Sequence, residues 1–311
     1  MTIPNVTNLH RLLLLFLVAV ANSLLAHRAV AQELTPRAFW PAPVGTKVLV
    51  VSYQHNDGDI VTDPSLPITG VESGINFLQA SYQQTFAAFG RTANMQLSLP
   101  YSWGKTEGFA FGEERYRKTS GLADMRMQVS INLRGAPAMD GAAFQQYRKN
   151  PRTIIGASLL IQAPTGDYAS DKLINIGTNR WSAKPAVGLI WPFHPSWMLE
   201  AEAGVWVYGD NDEFLGATRK QDPIVSTEVH LIRRIRPGFW MSLDANYYSG
   251  GRTSVASVKD EDLQRNSRFG ATIVYPFAGH HALRAAYSTG VVTESGGDFE
   301  IFSISYIYLW H

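Results

Sequence analysis

The chain has 311 residues, with 27 basic and 26 acidic side chains and a formal net charge of +1, which argues against nucleic acid or an anionic surface as its main partner. It contains no cysteine, which excludes disulfide bonds and thiolate chemistry. Hydrophobic residues make up 45% of the chain, yet after the N-terminus they rarely form the long apolar runs expected of a two-sided soluble core.

The N-terminus has the features of an export signal. A basic end at Arg11 precedes the apolar run LLLLFLVAVANSLLA, and Ala29-Val30-Ala31 provides the small-x-small pattern of a cleavage site. The sequence therefore predicts a signal peptide over residues 1–31, and a retained membrane anchor is the alternative. Residues 32–46 are predicted to form a periplasmic N-terminal segment. Its stretch PRAFWPAPVG should be extended and non-helical, and the sequence leaves open whether it plugs a lumen or hangs free.

From residue 47 to residue 311 the chain alternates between apolar and polar residues. In ADMRMQVSINLR, residues 123–134, the odd positions Ala123 to Leu133 are apolar and the even positions are polar, as in a two-faced strand. At about twelve residues it is long for a soluble sheet but matches a tilted membrane-spanning strand. Twelve strands are predicted near 47–55, 78–83, 92–103, 123–134, 152–163, 181–192, 197–207, 225–231, 241–247, 268–276, 281–289 and 302–310.

The connections between these strands alternate between long and short, except that 135–151 is long where a short turn is expected. Outer-membrane barrels have long external loops and short periplasmic turns, and aromatic girdles at both interfaces. Aromatic residues lie near strand ends at Tyr101, Trp103, Trp181, Trp191, Trp197, Trp240, Tyr275, Tyr308 and Trp310. We therefore predict an all-β fold, a single antiparallel transmembrane β-barrel of about twelve strands in a Gram-negative outer membrane. Its partners would be outer-membrane lipid, lipopolysaccharide and the barrel-insertion machinery. A soluble periplasmic sandwich is the alternative.

The polar face of the predicted strands supplies candidate lumen-facing residues of both charge signs. They are Asp124, Arg126, Gln128, Glu200, Glu202, Glu228, His230, Asp244, Arg268 and Arg284. Mixed signs predict weak charge selectivity, and these groups could also pair across the lumen and narrow it. Alternatively, the charges are paired or solvated scaffolding without a role toward a solute.

Several segments resemble a known family. APTGDY at 163–168, NIGTNRW at 175–181, SGLAD at 120–124 and the ending DFEIFSISYIYLW are similar to the outer-membrane family named for the "MetA-pathway of phenol degradation". The similarity runs from about residue 36 to the C-terminus, although Ala123 replaces a glycine of the family pattern. The resemblance implies a channel for small, often aromatic, organic molecules.

The most specific of these segments is predicted to form an ordered external loop. Its turn-forming and backbone-bonding residues are Pro164, Thr165, Gly166, Asp167, Tyr168, Asn175, Gly177, Asn179 and Trp181. Such a loop could fold over the mouth and set the pore size. Alternatively, these residues merely terminate two strands.

An enzymatic function is not indicated. Ser226 and His230 share a strand face but would lie about 13 Å apart, and no hydrolase or phosphate-binding motif is present. His280 and His281 are adjacent and would point apart, so no metal site and no cofactor are expected. The predicted function is passive uptake of small organic solutes, and the resemblance to the family implies that these solutes are aromatic or hydrophobic. The alternatives are a structural or adhesive barrel with functional loops and, more distantly, an outer-membrane lipid hydrolase.

Overall fold

A computed structural model describes residues 34–62, 68–110 and 112–311. The predicted signal peptide lies outside the described residues. No helix in the described part of the chain is long and apolar enough to span a membrane.

The described residues form a closed antiparallel β-barrel of twelve strands, as predicted. The barrel strands are β1 (Lys47–Val61), β2 (Ile68–Ala88), β3 (Arg91–Ala110), a fourth strand in two parts, β4 (Glu113–Leu122) and β5 (Arg126–Arg134), then β6 (Ile154–Gln162), β7 (Ser182–His194), β8 (Trp197–Tyr208), β11 (Ile224–Arg236), β12 (Phe239–Gly250), β15 (Gln264–Ala278), β16 (His281–Val292) and β17 (Gly296–Trp310). Each barrel strand pairs with its neighbours in the chain, and the pairing of β1 with β17 closes the barrel. Closure leaves no free sheet edge within the membrane.

Alternation along the strands determines which face meets lipid. On β5, Val129 and Leu133 are exposed on the outside, whereas Ser130 and Asn132 are buried on the inside. This arrangement is stable when lipid surrounds the barrel and the interior is polar. A soluble sheet has the opposite arrangement, with its polar face toward the solvent. The predicted alternation is therefore confirmed for this strand from Arg126 onward.

The strand predicted over residues 123–134 is interrupted at its start, which corrects the prediction. Tyr101 pairs with Leu122 and Ser98 pairs with Arg126, so three residues on one strand lie opposite two on the other. Such a β-bulge reverses the alternation. Ala123 consequently lines the interior and does not face lipid as predicted.

The two ends of the barrel differ, as the connection lengths predict. At the external end, β9 (Asn211–Phe214), β10 (Ala217–Gln221), β13 (Thr253–Val255) and β14 (Val258–Lys259) form a small separate sheet. The periplasmic end has tight turns such as Phe89–Gly90. The long connection at that end is a compact unit, because residues 141–149 form helix α1 (Gly141–Lys149), whose N-cap Asp140 accepts a hydrogen bond from Ala143.

A hydrophobic core fills the periplasmic end of the barrel. Its buried members are Phe39, Ala136, Ile154, Ile190, Met198, Ile232, Trp240 and Val274. Trp240 was predicted to lie in an interfacial girdle, but it is an inward residue of β12 and packs in this core. Strand parity explains the difference, because Met241, its neighbour, takes the exposed side.

Candidate functional site

The barrel encloses a cavity of about 740 Å³. One end is lined by Leu34 to Ala38 of the N-terminal segment, and the other by Ile176, Thr178 and Arg180 of the loop between β6 and β7. The cavity therefore extends from the periplasmic side of the barrel to the external loop. Its volume falls within the range of about 300–1,000 Å³ typical of sites for small molecules.

One wall of the cavity is polar and rich in glutamine. It is built by β1, β2, β3, β5 and β6, which contribute Gln54, Gln79, Gln83, Gln96, Gln128 and Gln162. Two of these amides bond to serine hydroxyls on the same strand, Gln79 to Ser81 at 3.0 Å and Gln96 to Ser98 at 3.2 Å. This wall offers amide donors and acceptors, together with the guanidinium of Arg126 on β5, whose Nε donates to Gln162 Oε1 at 3.0 Å.

The opposite wall carries a buried network of charges. Lys184 Nζ lies 2.8 Å from Glu202 Oε1 and 3.0 Å from Glu228 Oε1. His230 Nδ1 lies 2.8 Å from Asp244 Oδ1, and its Nε2 lies 3.6 Å from Glu228 Oε2. Lys184 and the His230 ring each lie between two carboxylates, and the Lys184 ammonium offsets part of the negative charge of the network.

The N-terminal segment enters the barrel and binds this network. The backbone N–H of Arg37 donates to Glu200 Oε2 at 2.5 Å, and that of Thr35 donates to Glu228 Oε2 at 3.5 Å. The guanidinium of Arg37 lies 4.8 Å from the ring centroid of Trp40 and 5.2 Å from that of Trp240. Arg37 also has a positive φ of 71°, a conformation that costs energy for a residue other than glycine and is held here by these contacts.

Phe39 anchors the same segment in a slot made by two glycines. Gly156 on β6 pairs with Gly188 on β7, and a Cβ added to them would lie 2.2 Å and 2.1 Å from atoms of the Phe39 ring, respectively. The ring is completely buried. Residues 34–46 therefore lie in and across the periplasmic end and close it.

The loop between β6 and β7 is anchored at the bulge of the fourth strand by Asp124. Its carboxylate accepts hydrogen bonds from the backbone N–H groups of Gly166 and Thr178, both at 2.9 Å, and from the Thr178 hydroxyl at 2.6 Å. Gln162 Nε2 donates a further bond at 3.0 Å. Four donors on one carboxylate fix the loop to the barrel wall.

Further contacts order the predicted loop motif. Asp167 bonds with both backbone groups of Leu122, so the loop continues the hydrogen bonding of the free edge of β4. Thr165 Oγ1 accepts from the N–H of Met125 at 2.9 Å, and Asn175 bonds within the loop to Ala169. Tyr168 and Asn179 bond to Asn211 of the external sheet. Gly166 and Gly177 pack backbone to backbone, Pro164 is half-buried, and Trp181 is exposed.

An aromatic stack lines the external part of the cavity. The rings of Trp206 and Tyr208 are stacked with centroids 6.3 Å apart, and the guanidinium of Arg180 lies 4.7 Å from the Tyr208 ring centroid. Arg180 also donates to Gln221. Burial lowers the pKa of Arg180 to about 10, so the residue remains charged at neutral pH.

The structure places all ten predicted lumen candidates within the barrel. Seven line the cavity, namely Asp124, Arg126, Gln128, Glu202, Glu228, Asp244 and Arg284. The other three, Glu200, His230 and Arg268, are buried against neighbouring groups. Arg268 is almost completely buried, and its guanidinium donates to Ser288 and to the carbonyl of Phe299, both at 2.6 Å.

Sequence reasoning missed four important residues of this interior: Arg37, Phe39, Lys184 and Trp206. The alternation SAKPAVGLI places Lys184 on the inward parity of β7, which is a signal that could have identified it. The parity of β8 could have identified Trp206 in the same way. Nothing local marks Arg37 and Phe39, whose positions depend on strands more than a hundred residues away.

The sequence analysis considered a catalytic pair of Ser226 with His230 and a metal site, and the structure shows what surrounds these residues. The His230 ring contacts the carboxylates of Asp244 and Glu228, whereas Ser226 Oγ bonds to the carbonyl of Gly204. Within the described ranges, no group of three or more His, Asp or Glu residues is arranged to hold a metal ion.

Comparison with known proteins identifies related sequences and folds. The model of the family described as "MetA-pathway of phenol degradation" matches residues 54–306, more than half of the chain. No curated protein matches the chain.

Among solved structures, an outer membrane channel from Pseudomonas putida F1 superposes with a TM-score of 0.75 at 20% identity, covering 89% of this chain and 100% of that one. The transport unit of the autotransporter AIDA-I from Escherichia coli gives a TM-score of 0.51 at 10% identity, covering 93% and 97% of the two chains. The β domain of the Bordetella autotransporter BrkA gives 0.50 at 12% identity, covering 86% and 100%. At these identities the matches establish the outer-membrane barrel fold.

Proposed function

The chain belongs to the "MetA-pathway of phenol degradation" family, and from this premise we propose that it is an outer-membrane channel for passive uptake of small aromatic or hydrophobic organic solutes. The observation that carries the proposal is the cavity of about 740 Å³, whose external part presents the Trp206–Tyr208 stack. Aromatic faces bind aromatic solutes through apolar contact and offset stacking. The superposable Pseudomonas putida F1 protein is itself an outer membrane channel.

The solute would enter from the external side, pass the Trp206–Tyr208 stack and reach the glutamine-rich wall. The glutamine amides can exchange hydrogen bonds with a hydroxyl group of a passing solute while apolar residues such as Phe77 and Leu160 contact its ring. Fixed charges on the opposite wall are paired, so a neutral solute would not have to displace a strongly bound counter-ion. The lumen candidates thus act as a paired polar lining.

Passage to the periplasm requires the N-terminal segment to move. Phe39, Arg37 and the Glu200 carboxylate close that end in the described state. The segment is held by non-covalent contacts to side chains of the barrel wall and by backbone hydrogen bonds to Thr85 and Met139, so its release would not require the barrel to open. The loop at 163–181 would control the other end, because Asp124 fixes it beside the mouth.

The same proposal includes export and insertion. A signal peptide over residues 1–31 would be removed, residues 32–46 would form the closing segment, and residues 47–311 would form the barrel in the outer membrane. The barrel-insertion machinery, outer-membrane lipid and lipopolysaccharide would be its partners in the envelope.

The proposal is tested by single-channel recording of the refolded, detergent-purified protein in a planar bilayer, with phenol or benzoate added to one side. Discrete conductance steps that either solute reduces reversibly are expected. Phe77→Ala, at a position inside the cavity, serves as a variant with altered lining, and exposed Leu78→Ala on the lipid face serves as its matched control. A folded protein with conductance steps that neither solute affects would contradict the proposed solute class.

A structural or adhesive barrel is the second candidate, and the closed periplasmic end is the observation that favours it. If the folded protein never conducts, even when the N-terminal segment is destabilised by substitution of Gly156, that candidate replaces the channel. A lipid hydrolase would instead lose a measurable esterase activity when Ser226 or His230 is substituted.

A further inference from the structure

The balanced net charge of the chain conceals a separation of charge along the barrel axis. Six exposed basic residues surround the periplasmic end, and we call them the basic collar: Arg91, Arg134, Lys149, Arg152, Arg233 and Arg236. They lie at the start of β3, at the end of β5, in the connection that contains α1, and in the last residues of β11. At the external end, by contrast, acidic residues outnumber basic ones among the described loops.

The basic collar has almost no intramolecular counter-charge. In the turns and strand ends that the structure describes at this end, Asp140 is the one acidic residue outside the barrel interior, and its carboxylate caps helix α1. Glu200 and Asp244 are sealed inside the lumen. None of the six collar residues forms a salt bridge within the described part of the chain.

Two collar arginines lie at the level of the membrane-facing aromatic girdle. The Arg233 guanidinium lies 5.0 Å from the ring centroid of Trp197, and that of Arg236 lies 5.4 Å from the ring centroid of Tyr275 and 5.7 Å from that of Phe239. Aromatic girdles mark the headgroup region of a bilayer. The two guanidinium groups are therefore held at the depth of lipid phosphates, on the outer surface of the barrel.

We infer that the basic collar binds the headgroups of anionic glycerophospholipids in the periplasmic leaflet. Guanidinium groups make charge-assisted, bidentate hydrogen bonds to phosphate. Each basic side chain near an anionic leaflet increases the binding constant by a factor of about five. The inference requires the barrel to lie in the outer membrane, as proposed above, but it does not require solute transport. It also revises the expectation from net charge that an anionic surface is an unsuitable partner.

Native mass spectrometry of the full, detergent-purified protein tests this inference. Phosphatidylglycerol and phosphatidylethanolamine of identical acyl chains are added in equal amounts, and retained lipid is counted at two ionic strengths. The test variant combines Arg233→Gln with Arg236→Gln. The matched control combines Lys118→Gln with Lys259→Gln, which removes two exposed positive charges at the external end. Heat-modifiable mobility on a gel confirms that each protein is folded.

We expect the wild type to retain phosphatidylglycerol in preference to phosphatidylethanolamine, and the preference to weaken as salt rises. The collar variant should bind phosphatidylglycerol about 25-fold more weakly, since two cations are lost and each contributes a factor of about five. The control should behave as the wild type, and Arg233→Lys with Arg236→Lys should keep most of the preference.

Three results would overturn the inference. The wild type could show no lipid preference, the collar variant could keep it, or the external control could lose it equally. If poly-L-glutamate binds through the collar while phosphatidylglycerol is not preferred, an acidic periplasmic protein replaces lipid as the partner. Failure of the protein to insert into vesicles at all would instead contradict the proposed membrane location, which separates the two ideas.

Discussion

Gly156 on β6 and Gly188 on β7 are directly paired across the sheet, and together they leave the space that the Phe39 ring fills. A side chain at either position would occupy the volume of the ring. The closing segment can therefore dock only because both positions in the barrel wall lack a side chain, which leaves room for the Phe39 ring.

The first prediction concerns this slot. Gly156→Ala combined with Gly188→Ala should expel Phe39, because each new Cβ would lie about 2 Å from ring atoms. Loss of a buried phenylalanine costs about 3–5 kcal/mol, which is enough to shift the segment from docked to free. Single-channel recordings should show a larger mean conductance or a higher open probability.

Gly74→Ala is the matched control for that experiment, since a Cβ there would make only an ordinary contact with Asp57 at 3.5 Å. Conductance equal to the wild type in the double variant, in a folded barrel, would show that the closing segment does not limit the pore.

The second prediction concerns Glu200, which holds the same segment by its backbone. Glu200→Ala removes the acceptor of the Arg37 amide and leaves a buried donor unpaired, at a cost of about 1–3 kcal/mol. Hydrogen exchange of residues 34–46 should become faster by roughly tenfold or more. Exchange in β17 should stay slow if the barrel is intact.

Glu300→Ala, on the exposed face of β17, is a suitable control for Glu200→Ala. If residues 34–46 exchange at the wild-type rate in Glu200→Ala, then Phe39 and Arg37 are sufficient to dock the segment, and the Glu200 carboxylate does not stabilise its docked position.

The alternation of the chain was sufficient to predict the number of strands, the face of most of their residues and the difference between the two ends. This prediction needs only local sequence, because successive side chains of a strand point to opposite faces. The bulge at Ala123 to Met125 could not be predicted in this way. Both halves of the strand alternate, and only the paired residues of β3 and the loop bonded to Asp124 show that one residue is extra.

The position of the N-terminal segment was also beyond local reasoning. Its prolines indicated an extended chain that could reach inside, but Phe39 is buried by Gly156 and Gly188, which are distant in sequence. Glycines in predicted strands suggest close approach of another group, yet they do not identify which one. Contacts over such a separation become visible only once the barrel has brought the strands together.

The third prediction concerns ion selectivity. Lys184 offsets part of the charge of Glu202 and Glu228, at 2.8 Å and 3.0 Å, and the lining also contains arginines, so the wild type should have weak charge selectivity. Lys184→Met leaves two partly buried carboxylates without this cation, and the reversal potential in a salt gradient should shift toward cation selectivity. Glu202→Gln should shift it in the opposite direction.

Folding provides the check on the selectivity experiment, because an uncompensated buried charge destabilises a protein by about 3–5 kcal/mol. The Lys184→Met barrel should therefore unfold at lower denaturant concentration than the wild type. Unchanged stability together with an unchanged reversal potential would mean that other cations of the lining, such as Arg37, already neutralise these carboxylates.

The last prediction concerns the external loop. Asp124→Ala removes an acceptor that binds Gln162, Gly166 and Thr178, and each hydrogen bond to a charged group contributes about 1.5–3 kcal/mol. The loop at 163–181 should then exchange its amide hydrogens much faster, while β6 and β7 remain protected. Because the loop lines one end of the cavity, conductance should become noisier and block by an aromatic solute should weaken.

Asp171→Ala tests whether that effect is specific to the anchor. Asp171 lies in the same loop, but it is exposed and pairs only with its neighbour Lys172 in the described structure. It should leave both hydrogen exchange and conductance unchanged. Equal effects of the two substitutions would attribute the change to loop charge, whereas an effect of Asp124→Ala alone would attribute it to the bonds that join the loop to the bulge.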